Sequence, residues 1–555
     1  MRKTIILLAA CIATLLLGYT GYRGYKVWKQ SHWLTMAKNF AAKADSRNEL
    51  LSLQQVLRLN PRSLEACRMM AALADAMHSP TALVWRQRTL DLNPQSLVDR
   101  LALAQTAISF SAFAVASNAL AGVSAHDQNT AMYHNVMGVL ATGTGRNAEA
   151  LKQFSESVRL DPANPVLQMN LAVLKLHDSN QLDMAEARIN LQRLSQNPTN
   201  SVISTQAKRE LTLDAVRQGD MKSALALSQK LTQSTNAAFA DRLLRLEVLQ
   251  RAQSPDFKSF LSTCQREAAG DPTRLSQMAV WLLRQTSTSQ TLTWLKSLPV
   301  SVQTNQPAAM LVADCRVQLH DWRGLQADIQ NQNWGDMDVI RHALMARSLR
   351  GQNLEGASAA EWGVAMQLTH DQKAGLIALF RLAAQWKWND EAQQILWKLV
   401  NQYPEEQWAV APLSQSFMAE GRTRSLLQLF SLLAKRSPDN VELKNNLVMV
   451  TMLLGSQDFN TSKMAQEVYD KDPTNPACIS TYAFSLFLQK QSAEALKLMQ
   501  KLTPKQLGDP SIAGYYGLIL QANGHGEQAK PCLRLALKGT LLPEEKQLFE
   551  KALMN

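Results

Sequence analysis

The chain is predicted to be all-α: an α-solenoid of antiparallel helix pairs preceded by one membrane-spanning helix. Three observations predict it. Small, small, large, small and proline positions return about every 34 residues. Leu, Ala and Gln dominate, and no long alternating run of β-branched residues argues for a sheet. An apolar stretch near the start is long enough, as a helix, for a bilayer.

At 555 residues the chain could hold three or four ordinary domains. The repeat favours one elongated array stabilised repeat against repeat. Low counts of Gly (23) and Pro (19) speak against long disordered linkers. The formal charge of +12 is uneven: residues 1–66 carry +7 and the other 489 only +5. A nucleic-acid-binding array would spread its basic residues along a groove, so no nucleic acid partner is expected.

Residues 1–3 form a short basic tail. The apolar run 4–22 follows, about 28 Å long as a helix, and reads as a transmembrane helix or uncleaved signal anchor. Residues 23–29 form a basic juxtamembrane segment. There Arg23, Lys26 and Lys29 alternate with Tyr25 and Trp28, as a helix end at head-group level requires. Two other readings stay open. Cleavage needs a small-x-small site, which Gly18-Tyr19-Thr20-Gly21 supplies poorly. Lipidation at Cys11 is suggested by Leu8-Ala9-Ala10-Cys11, although the apolar run continues past it. Positive charge lies on both sides of the span, so orientation is nearly balanced. The short basic tail leading directly into the apolar run favours an inside N-terminus. The array then lies on the periplasmic side of a bacterial inner membrane, tethered by a single pass. Contact of the basic start with anionic lipid is expected.

The array is expected over 30–540. It is clearest from Ala131, where Gly138 is eighth, Ala150 twentieth, Phe154 twenty-fourth, Ser157 twenty-seventh and Pro162 thirty-second. From Gln30 the same count gives Trp33, Ala37, Phe40, Leu53, Val56 and Pro61, with Glu49 in the twentieth place, which suggests a more open end repeat. From Pro510 it gives Gly517, Ala529, Leu533 and Ala536. Small residues at eight and twenty let the two helices of a pair approach. Large residues fill the gaps, and proline ends the second helix. These positions resemble those of the tetratricopeptide repeat. The resemblance implies a right-handed superhelix whose first helices, A, line a concave face that binds a protein partner. The count gives about 15 helix pairs, irregular at about 235–370. Residues 541–555 read as a polar closing helix, with Glu544 and Glu545 as solvated, capping charge at its first turn.

No catalytic, metal or cofactor constellation emerges. Gly143-Thr144-Gly145-Arg146-Asn147-Ala148 and Gly524-His525-Gly526-Glu527-Gln528-Ala529 pass for dinucleotide motifs. Neither follows a strand, and both fall where a pair turns from helix A to helix B. The six cysteines form no C-x-x-C and read as small buried apolar residues. His126 and His134 lack ligand spacing. Asn170 and Asn446 fall sixth in their repeats, and the resemblance implies that an asparagine there holds a bound peptide backbone, against a plain helix-surface role. Nine tryptophans crowd positions 281–408. Core packing explains most. Trp386 and Trp388 flank Lys387 at a turn, so at least one of them is expected to face outwards, and both are candidate groove contacts.

The function expected is therefore a membrane-tethered, non-enzymatic scaffold or adaptor whose groove binds a protein segment, in envelope assembly or secretion. The alternatives are an envelope protein that binds a polysaccharide or other polymer, and an adaptor facing the cytoplasm.

Overall fold

The structure is a computed structural model that describes residues 23–178, 180–455 and 459–554. Among the described residues it is helical throughout, with no strand. No described helix is long and apolar enough to cross a membrane. The apolar run 4–22 and Cys11 lie outside the described residues, and with them the anchor, cleavage and lipidation readings. The chain divides into two units, Met1–Trp281 and Leu282–Asn555.

In the first unit, helix pairs follow one another from 23–42 with Ser46–Leu59 to Phe239–Arg251 with Phe257–Ala269. The basic segment 23–29 is the first part of helix 23–42. Ala37, Leu53 and Val56 of the first pair pack with Ala66, Met70 and Leu73 of the next, so the core passes from pair to pair. Charged struts join successive A helices. Arg68 donates to both carboxylate oxygens of Asp99, at 2.7 and 2.5 Å, and Arg209 does the same to Asp241 at 2.6 and 3.0 Å. Burial pulls the Asp99 carboxyl upwards, but hydrogen bonds from Arg68, Ser96 and Asn93 bring it below its ordinary value.

Glu49 departs from expectation. The first pair is closed over it: the side chain is buried, and among the described residues it forms no ion pair. Burial raises its pKa. A carboxyl raised on folding favours the folded state most below its unfolded pKa, about 4.3. Stability then falls as pH rises through the folded value. Glu49→Ala restores the small residue normal for that place. It is expected to raise stability at pH 7 by about 1 kcal/mol. That gain shrinks towards pH 4, which thermal unfolding across this pH range measures.

In the second unit the pairs run from Ala308–Gln318 with Trp322–Ile329 to Pro510–Ala522 with Gly526–Ala536, then the last helix Pro543–Met554. Pairing persists through the stretch where the sequence count blurs. It blurs because a short helix, Val300–Gln303, is inserted and Trp322–Ile329 has only 8 residues. Starts are firmly marked: Asn475 and Asp509 cap helices whose first residues are Pro476 and Pro510. The last helix is not merely polar. Phe549 is buried in a notch over Gly514, where a Cβ would strike its ring and the methyl of Ala536.

Candidate functional site: a groove lined by helix A side chains

The repeat register explains which side chains meet inside a pair. Gly138 has an ordinary helical backbone, yet a Cβ there would lie 2.6 Å from two ring carbons of Phe154. A Cβ on Gly517 would lie 2.7 Å from Leu533 Cγ. The eighth place is therefore small because the twenty-fourth lies across it. The twenty-seventh closes the pair: Ser157 Oγ donates to the Ala131 carbonyl at 2.7 Å. Ser358, twentieth in its repeat, donates to the carbonyl of Ala346, the eighth, at 2.8 Å. Gly145 and Gly524 adopt left-handed backbone at φ +74 and +81, so the two dinucleotide-like stretches are A-to-B turns.

The pairs pack as the tetratricopeptide resemblance implies.

No family model and no curated protein matches the chain. Solved structures align with it at low similarity. A Pseudomonas aeruginosa PilF structure is 13% identical, covering 40% of this chain and 97% of its own, at a TM-score of 0.31. The Cut9–Hcn1 hetero-tetramer of the APC/C is 12% identical over 94% and 96%, at 0.28. A MamA structure from Desulfovibrio magneticus is 14% identical over 30% and 92%, at 0.26.

Helices A of the second unit face a groove of about 1050 Å³. Its floor comes from Val410–Ala419, Val441–Leu453, Pro476–Leu488 and Pro510–Ala522, and Thr423–Arg436 forms a flank. The chain's own last helix supplies another wall through Leu542 and Glu545. Glu545 accepts from the Tyr515 hydroxyl and, at 2.9 Å, from the Leu542 N–H. Glu544 accepts from the Thr423 hydroxyl, and Pro543 lies against Gly421. These two glutamates were expected as solvated, capping charge. Glu545 does cap the helix, but both also fasten it across the unit. Burial, then the Glu545 carboxylate, raises the Tyr515 pKa well above its usual value.

A stripe runs along the groove at a 35-residue interval: Asn445, Ser480 and Tyr515, all buried and all lining it. Asn446, one of the two asparagines named as candidates from sequence, also lines the groove and is half-buried. Asn445 is the more enclosed of the two. One residue rotates a helix by about 100°, so the sequence count alone could not separate them. Asn170 lies in the first unit and is engaged: its Nδ2 donates to Asn135 Oδ1 at 2.8 Å.

The tryptophans are mostly interior. Trp362 and Trp388 are each 5% exposed and Trp386 is half-buried. The Trp388 centroid lies 5.5 Å from Trp362 and 5.1 Å from Trp386. Arg350 Cζ lies 3.6 Å from the Trp388 centroid, and Arg347 Cζ lies within 6 Å of Trp322, Trp386 and Trp388. This packing turns Trp388 inwards, so of the pair flanking Lys387 only Trp386 retains partial exposure. Trp408 is the more open, at 42%. Among the described residues Cys67, Cys264, Cys315 and Cys478 are buried and Cys532 is half-buried; burial pushes Cys264 to about 12 and Cys315 to about 11. His134 Nδ1 pairs with Gln153 Oε1 at 2.7 Å.

Proposed function

We propose that the chain is a membrane-tethered scaffold that holds a segment of a partner protein in the groove of its second unit. The observation that carries the binding half is the groove itself: a continuous concave surface of helix A side chains, apolar along its floor and carrying polar groups at a regular interval. A binding role fits better than a catalytic one, because the groove assembles no nucleophile with a base and an orienting group.

The tether rests on the start of the chain. Tyr25, Val27 and Trp28 are exposed on helix 23–42, at 54%, 66% and 63%, directly after the apolar run. Lys29 lies over the Tyr25 ring at 5.6 Å. Exposed aromatic rings among Arg23, Lys26 and Lys29 suit an interface between water and lipid. Each basic residue near an anionic surface contributes about 1 kcal/mol before screening. The array then stands on the periplasmic side of a bacterial inner membrane.

Cell fractionation tests the tether. The full chain is expected in the membrane pellet, and a chain lacking residues 1–29 in the supernatant. Identical partitioning of the two defeats the tether. A reporter fused after residue 29 reads the side on which the array lies.

A further inference from the structure

We infer that the second unit has a further contact surface outside the groove, at the edge where helices A turn into helices B. There Arg347, seated among three indoles, takes the side-chain carboxylate of an aspartate or glutamate from a protein partner. This adds a surface to the protein-binding reading above and rests on it.

Successive pairs build the surface. Arg347 lies near the end of Asp338–Gly351, a helix A. Trp322 begins the helix B before it, Trp322–Ile329. Trp386 ends the next helix A, Lys373–Trp386, and Trp388 immediately precedes Asn389–Gln402. The ring centroids of Trp322, Trp386 and Trp388 lie 5.3, 5.6 and 5.7 Å from Arg347 Cζ. Trp322 fits there because Gly351 lies against its ring, where a Cβ would be 2.5 Å from indole carbons. None of these residues lines the groove.

The first support is a cation without an anion. The arginines around it each hold a side-chain carboxylate: Arg316 holds Asp328, Arg341 holds Asp338 and Arg350 holds Glu391. Arg347 is half-buried as well, yet among the described residues it forms no ion pair and no hydrogen bond. Charge withdrawn from water is ordinarily paired. Here the indole faces alone offset it. Burial, then the charge of Arg350, lowers the Arg347 pKa. The acids nearby are engaged: Glu355 and Glu391 with Arg350, and Asp321 with Arg316 and the Gly324 N–H. Lys387 and Asp390, on either side of Trp388, are both exposed and form no ion pair among the described residues.

The second support is which atoms a ligand can reach. Only Nε of Arg347 is enclosed; its two terminal nitrogens are not. They form the end of the guanidinium fork, which a carboxylate meets with two parallel bonds. Arg245 of the first unit also lacks an ion pair, but its Nη1 is enclosed together with its Nε, so it offers no such edge. The indole faces are turned to the cation, so an anion approaches in the plane of the fork. One fork of single charge matches a carboxylate, whereas the second charge of a phosphate finds only the exposed Lys387.

The test uses the full chain and an array of terminally blocked ten-residue peptides in matched pairs, with Glu or Gln at a central place among Leu, Val, Ser and Ala. Titration calorimetry reads the affinities. Glutamate peptides are expected to bind at least about tenfold more tightly than their glutamine partners, as a hydrogen bond to a charged group requires. Added salt should narrow the difference. Arg347→Gln is expected to abolish the glutamate preference, Arg347→Lys to keep part of it, and Arg245→Gln to leave it whole. The matched pairs on the parent protein decide the matter even if the Arg347 variants fold poorly. Equal affinity for Glu and Gln peptides overturns the inference and leaves protein binding intact. So does a preference that survives Arg347→Gln, or acetate that binds as tightly as the glutamate peptides. Failure of every peptide, charged or uncharged, to bind overturns the inference and the protein-binding reading together.

Discussion

Phe549→Ala is expected to release the last helix from the second unit, at a cost of about 3–5 kcal/mol. Phe549 is 1% exposed, and its ring fills the notch left by Gly514 beside Ala536. Removing it leaves the bonds of Thr423 to Glu544 and Tyr515 to Glu545, with Leu542 and the half-buried Leu548, Ala552 and Leu553, to hold Pro543–Met554 in place. Two side-chain hydrogen bonds contribute only about 1 kcal/mol each, so they do not replace the ring. Amide exchange in Pro543–Met554 should therefore accelerate by about two orders of magnitude or more, and proteolysis should begin there. Exchange in the first unit should not change, because repeats are stabilised chiefly by their neighbours. Gly514→Val offers an independent route: its side chain would occupy the space of the Phe549 ring. Protection of Pro543–Met554 at the parent level in both variants defeats the account. The groove should respond as well, because Leu542 and Glu545 form part of its wall.

That helix also marks where sequence reading stops. The 34-residue count located the close approaches inside the pairs, because they are local. Gly138, Phe154 and Ser157 lie within one repeat, and steric size at fixed spacing is a periodic signal. The turns at Gly145 and Gly524 were legible for the same reason. The bond between Thr423 and Glu544 spans 121 residues. It joins a hydroxyl and a carboxylate that fit a solvated helix end equally well, so no pattern reveals it. Tryptophan gave a different ambiguity. Composition showed a crowd of indoles, but an indole beside a turn serves a core or a groove alike. Its 5% exposure, with Trp362, Trp386 and the guanidinium groups of Arg347 and Arg350 around it, shows that Trp388 is interior. Asn446 was a candidate from its place in the repeat; Asn445 beside it is the more enclosed, and a count of places does not separate two neighbours on one helix.

Gly138→Ala is expected to change sign with its neighbour. In the parent protein the added methyl would sit 2.6 Å from Phe154 ring carbons, inside a closed pair. Phe154 is 4% exposed, and its partner helix is fixed by the bond from Ser157 to Ala131. Overpacking of this kind costs about 1–3 kcal/mol. Phe154→Ala alone costs about 3–5 kcal/mol, because it removes the ring and leaves a void. In that background the methyl at 138 enters vacated space. The helix also gains the difference between glycine and alanine, about 1 kcal/mol. The second substitution should then stabilise, and the pair should show a coupling of about 2–3 kcal/mol. Amide exchange across Ala131–Leu160 in the four proteins of the cycle measures it. The cycle separates two reasons for a glycine in the eighth place. Were the glycine there for backbone freedom, alanine would cost the same whether or not Phe154 is present. Gly138 has no left-handed backbone to protect, so the space beneath the ring is the physical reason, and the coupling should appear in full.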